Sequence, residues 1–334
     1  GNADFVALGR SQLAEPAWAK KAKEGRASDI KPCINCLIGC IDRGMLRHTP
    51  IHCTVNPSLY RFECKPVEKA ETRKQVAVVG AGPAGCEAAL TASKRGHQVT
   101  IYEKRCIGGA MIEASKPENK ANIKRLIHYY EDHIMHDPNI TLVKEEVEYE
   151  TLVHSGYDAV IIAVGGKTRI LNVPGIEKNS VIYASDYLNG STAVTGNTVV
   201  VIGGGITGAE TAPELNAEGK KVIIVEMTDA FLANFSSACQ AYLATINETD
   251  IKILTGKRLT AVHENNVILT DRWGNETTVP AVSVVIAVGF TRQNELSDKL
   301  EENTDMQVFN VGDSKRVRQI YDAIHEGLIA ARQI

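Results

Sequence analysis

Two stretches of this 334-residue chain share one pattern: a run of β-branched residues, three glycines spaced G-x-G-x-x-G, and a helix-forming stretch. Gln75-Val-Ala-Val-Val-Gly80-Ala-Gly82-Pro83-Ala84-Gly85 is echoed by Thr198-Val-Val-Val-Ile-Gly203-Gly-Gly205-Ile206-Thr207-Gly208. The first glycine permits a tight turn, the second lets the backbone approach a diphosphate, and the third lets helix pack close to strand. The diphosphate then meets the unpaired N–H groups and positive dipole end of the helix. Each fingerprint is followed by a second strand that ends in an acid. Glu103 stands 18 residues past Gly85, and Glu226 stands 18 past Gly208. A carboxylate there can accept hydrogen bonds from both ribose hydroxyls. One G-x-G-x-x-G is weak; strand, glycines, helix and acid repeated twice imply two dinucleotide sites. A 2′-phosphate would be repelled by Glu226, and Met227-Thr-Asp229 offers no cation, so the second site favours NAD(H) over NADP. Lys220 and Lys221 are the cations that could lie nearby.

From Gln75 onward, apolar runs alternate with amphipathic stretches, as in parallel α/β architecture. Strands are expected at 76–79, 99–102, 159–163, 198–202, 222–225 and 283–287, each short and rich in Val and Ile. A second echo pairs Ile161-Ile-Ala-Val-Gly165-Gly166 with Val285-Ile-Ala-Val-Gly289-Phe290. The expected fold is α/β: two Rossmann-like dinucleotide-binding domains, one inserted in the other, preceded by a small Cys-rich segment. Lys65–Lys74 is polar and charged, and reads as the linker after that segment.

Net charge is −3, with 44% hydrophobic and 23% charged residues. Nothing here favours nucleic acid or an anionic membrane as a partner. Runs such as 198–202 and 282–288 fall far short of the ~20 apolar residues a membrane-spanning helix needs. No signal peptide is visible, so the cytoplasm is the default location.

Five of the eight cysteines crowd into residues 33–64, which in a long intracellular-looking chain points to metal ligation. Cys33, Cys36, Cys40 and Cys53 are spaced C-x2-C-x3-C-x12-C. A tight trio plus one distant ligand suits a four-iron cluster, where each iron takes one sulfur. Zinc is the alternative: its sites usually use paired C-x2-C or Cys/His ligands, and His48 and His52 stand close by. Cys64 is surplus.

The segment C-x2-C-x3-C followed by Cys53-Thr-Val-Asn-Pro57 resembles the [4Fe–4S] segment of the enoate reductase, 2,4-dienoyl-CoA reductase and trimethylamine dehydrogenase group, within the Old Yellow Enzyme family. Ala3-Asp-Phe-Val-Ala-Leu-Gly9-Arg10 resembles the last strand and Gly-Arg phosphate grip of that family's FMN barrel. The resemblance implies the end of a barrel plus a cluster segment over 1–70, an FAD domain over 71–190 and 290–334, and an NAD domain over 191–289. It implies FAD at Gly80, Gly82, Pro83, Ala84, Gly85, Glu103, Lys104, Gly109, Gly165, Gly312 and Asp313. Nicotinamide cofactor falls to Gly203, Gly205, Ile206, Thr207, Gly208, Glu226 and Gly289, and the cluster to the four cysteines. Asp313 ends the strand Val308-Phe-Asn-Val-Gly312 before a helix at 320–331; a helix N-cap is its plain alternative. Gly108-Gly109 resembles the loop beside the flavin ring, or else is a surface loop.

The implied function is an electron-transfer oxidoreductase module, NADH to FAD to [4Fe–4S], feeding an upstream FMN-binding TIM barrel that reduces an enoate- or enoyl-type substrate. FMN belongs only to a form with that barrel. Relatives that hold ADP where others hold FAD supply the alternative, a non-catalytic nucleotide-binding domain. Cys106 has no second cysteine close by, which argues against disulfide-reductase chemistry. Cys86 and Cys239 read as packing residues, and His128, His133 and His136 as one face of a charged helix over 119–135. The catalytic residues and the substrate pocket fall outside this chain, and a homo-oligomer is compatible with it.

Overall fold

The computed structural model describes residues 3–59, 66–233 and 236–334; Cys64 and Lys65 lie outside them. The chain forms two compact units, one of residues 1–115, 120–167 and 291–334, the other of 116–119 and 168–290.

The first unit is built on a five-stranded parallel sheet. Its spatial order runs Gln307–Asn310, Ala159–Ile162, Gln75–Val79, Gln98–Tyr102, Ile140–Val143. Side chains alternate across a strand, so Val76 and Val78 enter one core with Ile101 and Ile161. Ala77 and Val79 enter the opposite core with Tyr102, Val160 and Ile162. Both faces are covered, which is why these strands read as continuous apolar runs. Each fully buried Val or Ile contributes roughly 1.5–3 kcal/mol. Helices Pro83–Arg95 and Ile320–Gln333 pack together on the first of these faces. A Cβ at Gly327 would meet the Ala84 carbonyl oxygen at 2.2 Å, so that crossing requires glycine.

The Cys-rich segment belongs to this unit. Ile34 and Val55 are buried in the same core as Ala84, Ala88 and Ile324. Residues 3–8 form no strand, and Phe5 and Val6 are exposed.

The second unit repeats the sheet: Val181–Tyr183, Ser283–Ile286, Thr198–Ile202, Lys221–Val225, Lys252–Leu254, all parallel. Its fingerprint strand again lies between the acid-bearing strand and the strand that leads to the second echo. Three antiparallel strands, Lys257–Val262, Asn266–Asp271 and Glu276–Pro280, cover one face; Leu259, Val267 and Leu269 share a core with Val200, Ile202 and Ile286. The unit's continuous stretch starts at 168, against the expected 191, and takes in Val181–Tyr183 as the edge strand beside Ser283–Ile286. Among the described residues no helix is long and apolar enough to cross a membrane.

Candidate functional sites

Both fingerprints close in the same way. Gly80 and Gly203 turn with φ of 99° and 111°, and a Cβ on either would strike a carbonyl oxygen of the neighbouring strand at 2.4 Å, that of Ala163 or Ala287. A Cβ on Gly85 or Gly208 would lie 1.9 Å from the carbonyl oxygen of the first glycine, Gly80 or Gly203. The middle glycines differ in kind. Gly205 has nothing within 4 Å of its Cβ position, and Gly82 has only Gly109 Cα, at 3.9 Å. Two glycines are therefore closed by the protein and the middle one faces open space, as a cradle for a diphosphate requires. The helices that follow, Pro83–Arg95 and Ile206–Ala217, have no side-chain cap on their N-terminal N–H groups, which leaves those donors for an anion.

The acids are tethered to these turns. Glu103 Oε2 accepts from Ala81 N at 2.8 Å and Oε1 from Arg105 N at 2.7 Å. Glu226 Oε2 accepts from Gly204 N at 2.7 Å, while Oε1 accepts from Thr228 N at 2.7 Å and Thr228 Oγ1 at 2.8 Å. Each carboxylate is thus fixed beside the cradle of its own unit. Lys104 pairs with Glu146 at the surface.

The Gly108-Gly109 loop packs on the first cradle: Gly108 N donates to the Ala81 carbonyl at 2.8 Å, and a Cβ on Gly109 would stand 2.8 Å from Gly82 Cα. Gly165 and Gly289, with φ of 79° and 84°, both face open space.

Gly312 carries φ of 68° and packs against Ala84, the residue before the third glycine of the first fingerprint. Asp313 does not cap the helix that follows. Gln319 is the N-cap there, and its N–H donates to Asp322 Oδ2 at 3.2 Å. Asp313 Oδ1 instead accepts from Arg318 N at 2.9 Å, and burial holds its carboxyl above the usual range. Glu326 accepts from Gly312 N at 2.8 Å and pairs with Arg318. Glu326 and Gly327 had no signal in the sequence, because their partners are distant in the chain.

Cys33, Cys36, Cys40 and Cys53 line one hollow together with Arg10, Leu13, Ile34, Leu37, Gly39, Thr54 and Val55. Left-handed Asn35 and Leu37, with φ of 56° and 61°, flank Cys36. A π-helix, Ile38–Leu46, then carries Cys40, a rare element often found at functional sites. The returning chain docks on Gly39: His52 N donates to its carbonyl at 2.6 Å, and a Cβ on Gly39 would lie 2.6 Å from His52 O. That contact brings Cys53 back across twelve residues to the trio.

The segment is anchored to the helices Pro83–Arg95, Ala121–His136 and Ile320–Gln333 by groups the sequence pattern did not reveal. Lys31 Nζ sits 2.6 Å from Glu87 Oε2, which also accepts from Tyr130 Oη at 2.9 Å. His52 Nδ1 and Tyr321 Oη are 2.7 Å apart, and His325 Nε2 is 2.9 Å from the Cys53 carbonyl. Burial pushes the Cys36 thiol up and that of Cys53 to about 11, so these sulfurs ionise only against a compensating positive charge. Among the described residues no three His, Cys, Asp or Glu groups converge closely enough to grip a single metal ion.

Residues 74–327 match the family described as pyridine nucleotide-disulphide oxidoreductase. The chain belongs to that family. As a pyridine nucleotide-disulphide oxidoreductase it carries FAD/NAD-binding domains of Rossmann type. Its described cysteines are nonetheless all free, and Cys106 is exposed. Along its whole length the chain is 37% identical to an NADH oxidase of Thermoanaerobacter brockii and 30% identical to a cinnamate reductase of Clostridium sporogenes, covering 52% and 50% of them. A solved 2-naphthoyl-CoA reductase in complex with 2-naphthoyl-CoA superposes with a TM-score of 0.91 at 30% identity, over 100% of this chain and 51% of that one. These relatives meet the resemblance read from the cysteine motif. The chain spans about half the length of the curated relatives it matches.

Proposed function

We propose that this chain is the electron-entry half of a larger reductase, taking electrons from NADH and delivering them toward an FMN-binding barrel that reduces an enoate- or enoyl-type double bond. The observation that carries this reading is the repeated cradle, closed at Gly80, Gly85, Gly203 and Gly208 and open at Gly82 and Gly205. FAD is assigned to the unit of Gly80, Glu103, Gly109, Gly165, Gly312 and Asp313, and NAD(H) to the unit of Gly203, Glu226 and Gly289. A [4Fe–4S] cluster is assigned to Cys33, Cys36, Cys40 and Cys53, and FMN to the partner barrel.

When bound, the flavin would accept hydride from NADH and release electrons singly, which matches a two-electron donor to a one-electron iron–sulfur centre. The protein's own contribution is placement. The helix starts at Pro83 and Ile206 supply N–H donors and a positive dipole to the two diphosphates. Glu103 and Glu226 are held ready for ribose hydroxyls. The resemblance gives Asp313 the ribityl and diphosphate side of FAD.

Anaerobic purification with iron and sulfide reconstitution tests the reading. The expected protein is yellow-brown, shows flavin and iron–sulfur absorbance, and reduces a dye with NADH; Cys33→Ser removes the iron–sulfur component. A colourless, ADP-loaded protein without NADH turnover would sink it in favour of a non-catalytic nucleotide-binding role.

A further inference from the structure

The hollow formed by the four cysteines contains a side-chain donor that the ligand pattern leaves out. Thr54 follows Cys53 directly and is 1% exposed. Its Oγ1 lies 2.9 Å from Cys36 Sγ, across 18 residues of chain. Between a thiol and a hydroxyl either group could donate. Once Cys36 is a metal-bound thiolate it has no proton to give, and only the Thr54 O–H can be the donor.

Further donors at these sulfurs come from the backbone. Asn35 N donates to Cys33 Sγ at 3.5 Å, Ile38 N–H favours the ionised form of Cys36, and Val55 and Asn56 N–H favour that of Cys53. They are set by the turn geometry and would persist in any side-chain variant. Hydrogen bonds to cluster sulfurs stabilise the more negative, reduced state and so raise the potential. A dipole buried out of water acts more strongly than an exposed one.

Building on the assignment of a [4Fe–4S] cluster to these cysteines, we propose that the Thr54 hydroxyl donates to the Cys36 sulfur and raises the reduction potential of the centre. Thr54 is a positioning residue: it touches a ligand, not substrate. The step it biases is uptake of one electron, with no bond made or broken.

The test is an EPR-monitored redox titration of the reconstituted full chain in wild-type, Thr54→Val and Thr54→Ser forms, with iron determined in each. Thr54→Val is expected to keep its iron and shift the midpoint to a more negative value, while Thr54→Ser stays at the wild-type value. Equal midpoints for wild type and Thr54→Val at equal iron content overturn the proposal. A purely structural role would change iron content and leave the potential where it was. Should Thr54→Val lower the iron content, Thr54→Ala against Thr54→Ser makes the same comparison: a more negative Ala midpoint supports the proposal and equal midpoints overturn it. A wild-type chain that takes up no iron overturns the cluster assignment itself, an outcome separate from an unchanged potential.

Discussion

The Glu226 carboxylate accepts the Gly204 N–H at 2.7 Å, tying the acid that ends one strand to the glycine turn that ends its neighbour. Glu103 holds Ala81 N in the same way at 2.8 Å. Each acid therefore stabilises its turn, and in the proposed assignment it is the group that receives the ribose hydroxyls. Glu226→Gln can keep one acceptor oxygen for Gly204 N–H, gives up the one that takes Thr228 N and Oγ1, and loses the charge. A charged hydrogen bond is worth about 1.5–3 kcal/mol, so the Kd for NADH, read by fluorescence titration, should rise roughly 10- to 100-fold. Binding of NADPH should weaken less, because the repulsion of its 2′-phosphate is removed.

Gly205 has φ of −79° and open space at its Cβ position. Gly205→Ala should leave thermal stability within about 0.5 kcal/mol and raise the KM for NADH about tenfold or more, since the methyl enters the diphosphate space. Gly208→Ala should instead destabilise the second unit, because its Cβ would lie 1.9 Å from the Gly203 carbonyl oxygen. Calorimetry beside NADH kinetics separates the two effects; equal loss of stability in both variants would contradict the cradle.

Lys31 and Glu87 form an ion pair of 2.6 Å with side chains only 12% and 10% exposed. Removing one partner of a buried pair leaves the other charge uncompensated and costs about 3–5 kcal/mol. Lys31→Met and Glu87→Gln should each lower the midpoint of denaturant unfolding, and the double variant should be more stable than the sum of the single losses implies. Strict additivity would show that the pair does not hold the cysteine segment to its helix.

His97 is fully buried and its Nδ1 accepts from Lys74 N at 3.2 Å. Burial, with help from Arg95 and Lys74, holds its pKa below the usual histidine value. The folded state then binds protons less readily than the unfolded one. The stability this gives is present above about pH 6.5, the unfolded value, and is lost as the pH falls through the lower folded value. Unfolding free energy should therefore fall between pH 7 and pH 5, with a shallower slope in His97→Asn. Equal slopes in the two proteins would exclude His97 as the source.

What could be read from the sequence was whatever follows from spacing along one strand or helix. Gly80, Gly82, Gly85 and Glu103 lie on consecutive elements, so their relation is a matter of counting. The strand Thr198–Ile202 was expected at those bounds because a doubly buried strand is an unbroken apolar run. The antiparallel strands of 257–280 carry a half-buried alternation interrupted by polar residues, a weaker signal. Ile140–Val143 is short and only partly buried, and it too was missed. Contacts such as Lys31 with Glu87, Gly327 with Ala84 and Thr54 with Cys36 join residues brought together only by tertiary folding. No local periodicity encodes them.

The sheet of the first unit is completed by Gln307–Asn310, which enters the chain only after the whole of 168–290. During synthesis the emerging polypeptide holds Gln75–Val79 and its neighbours with one edge unpaired, and without the helix Ile320–Gln333 that covers one face. The inserted unit draws nearly all its residues from one continuous stretch and can settle while still on the ribosome. Residues 75–162 must therefore wait for 307–333, which follow them in the chain, before their sheet and its covering helix are complete.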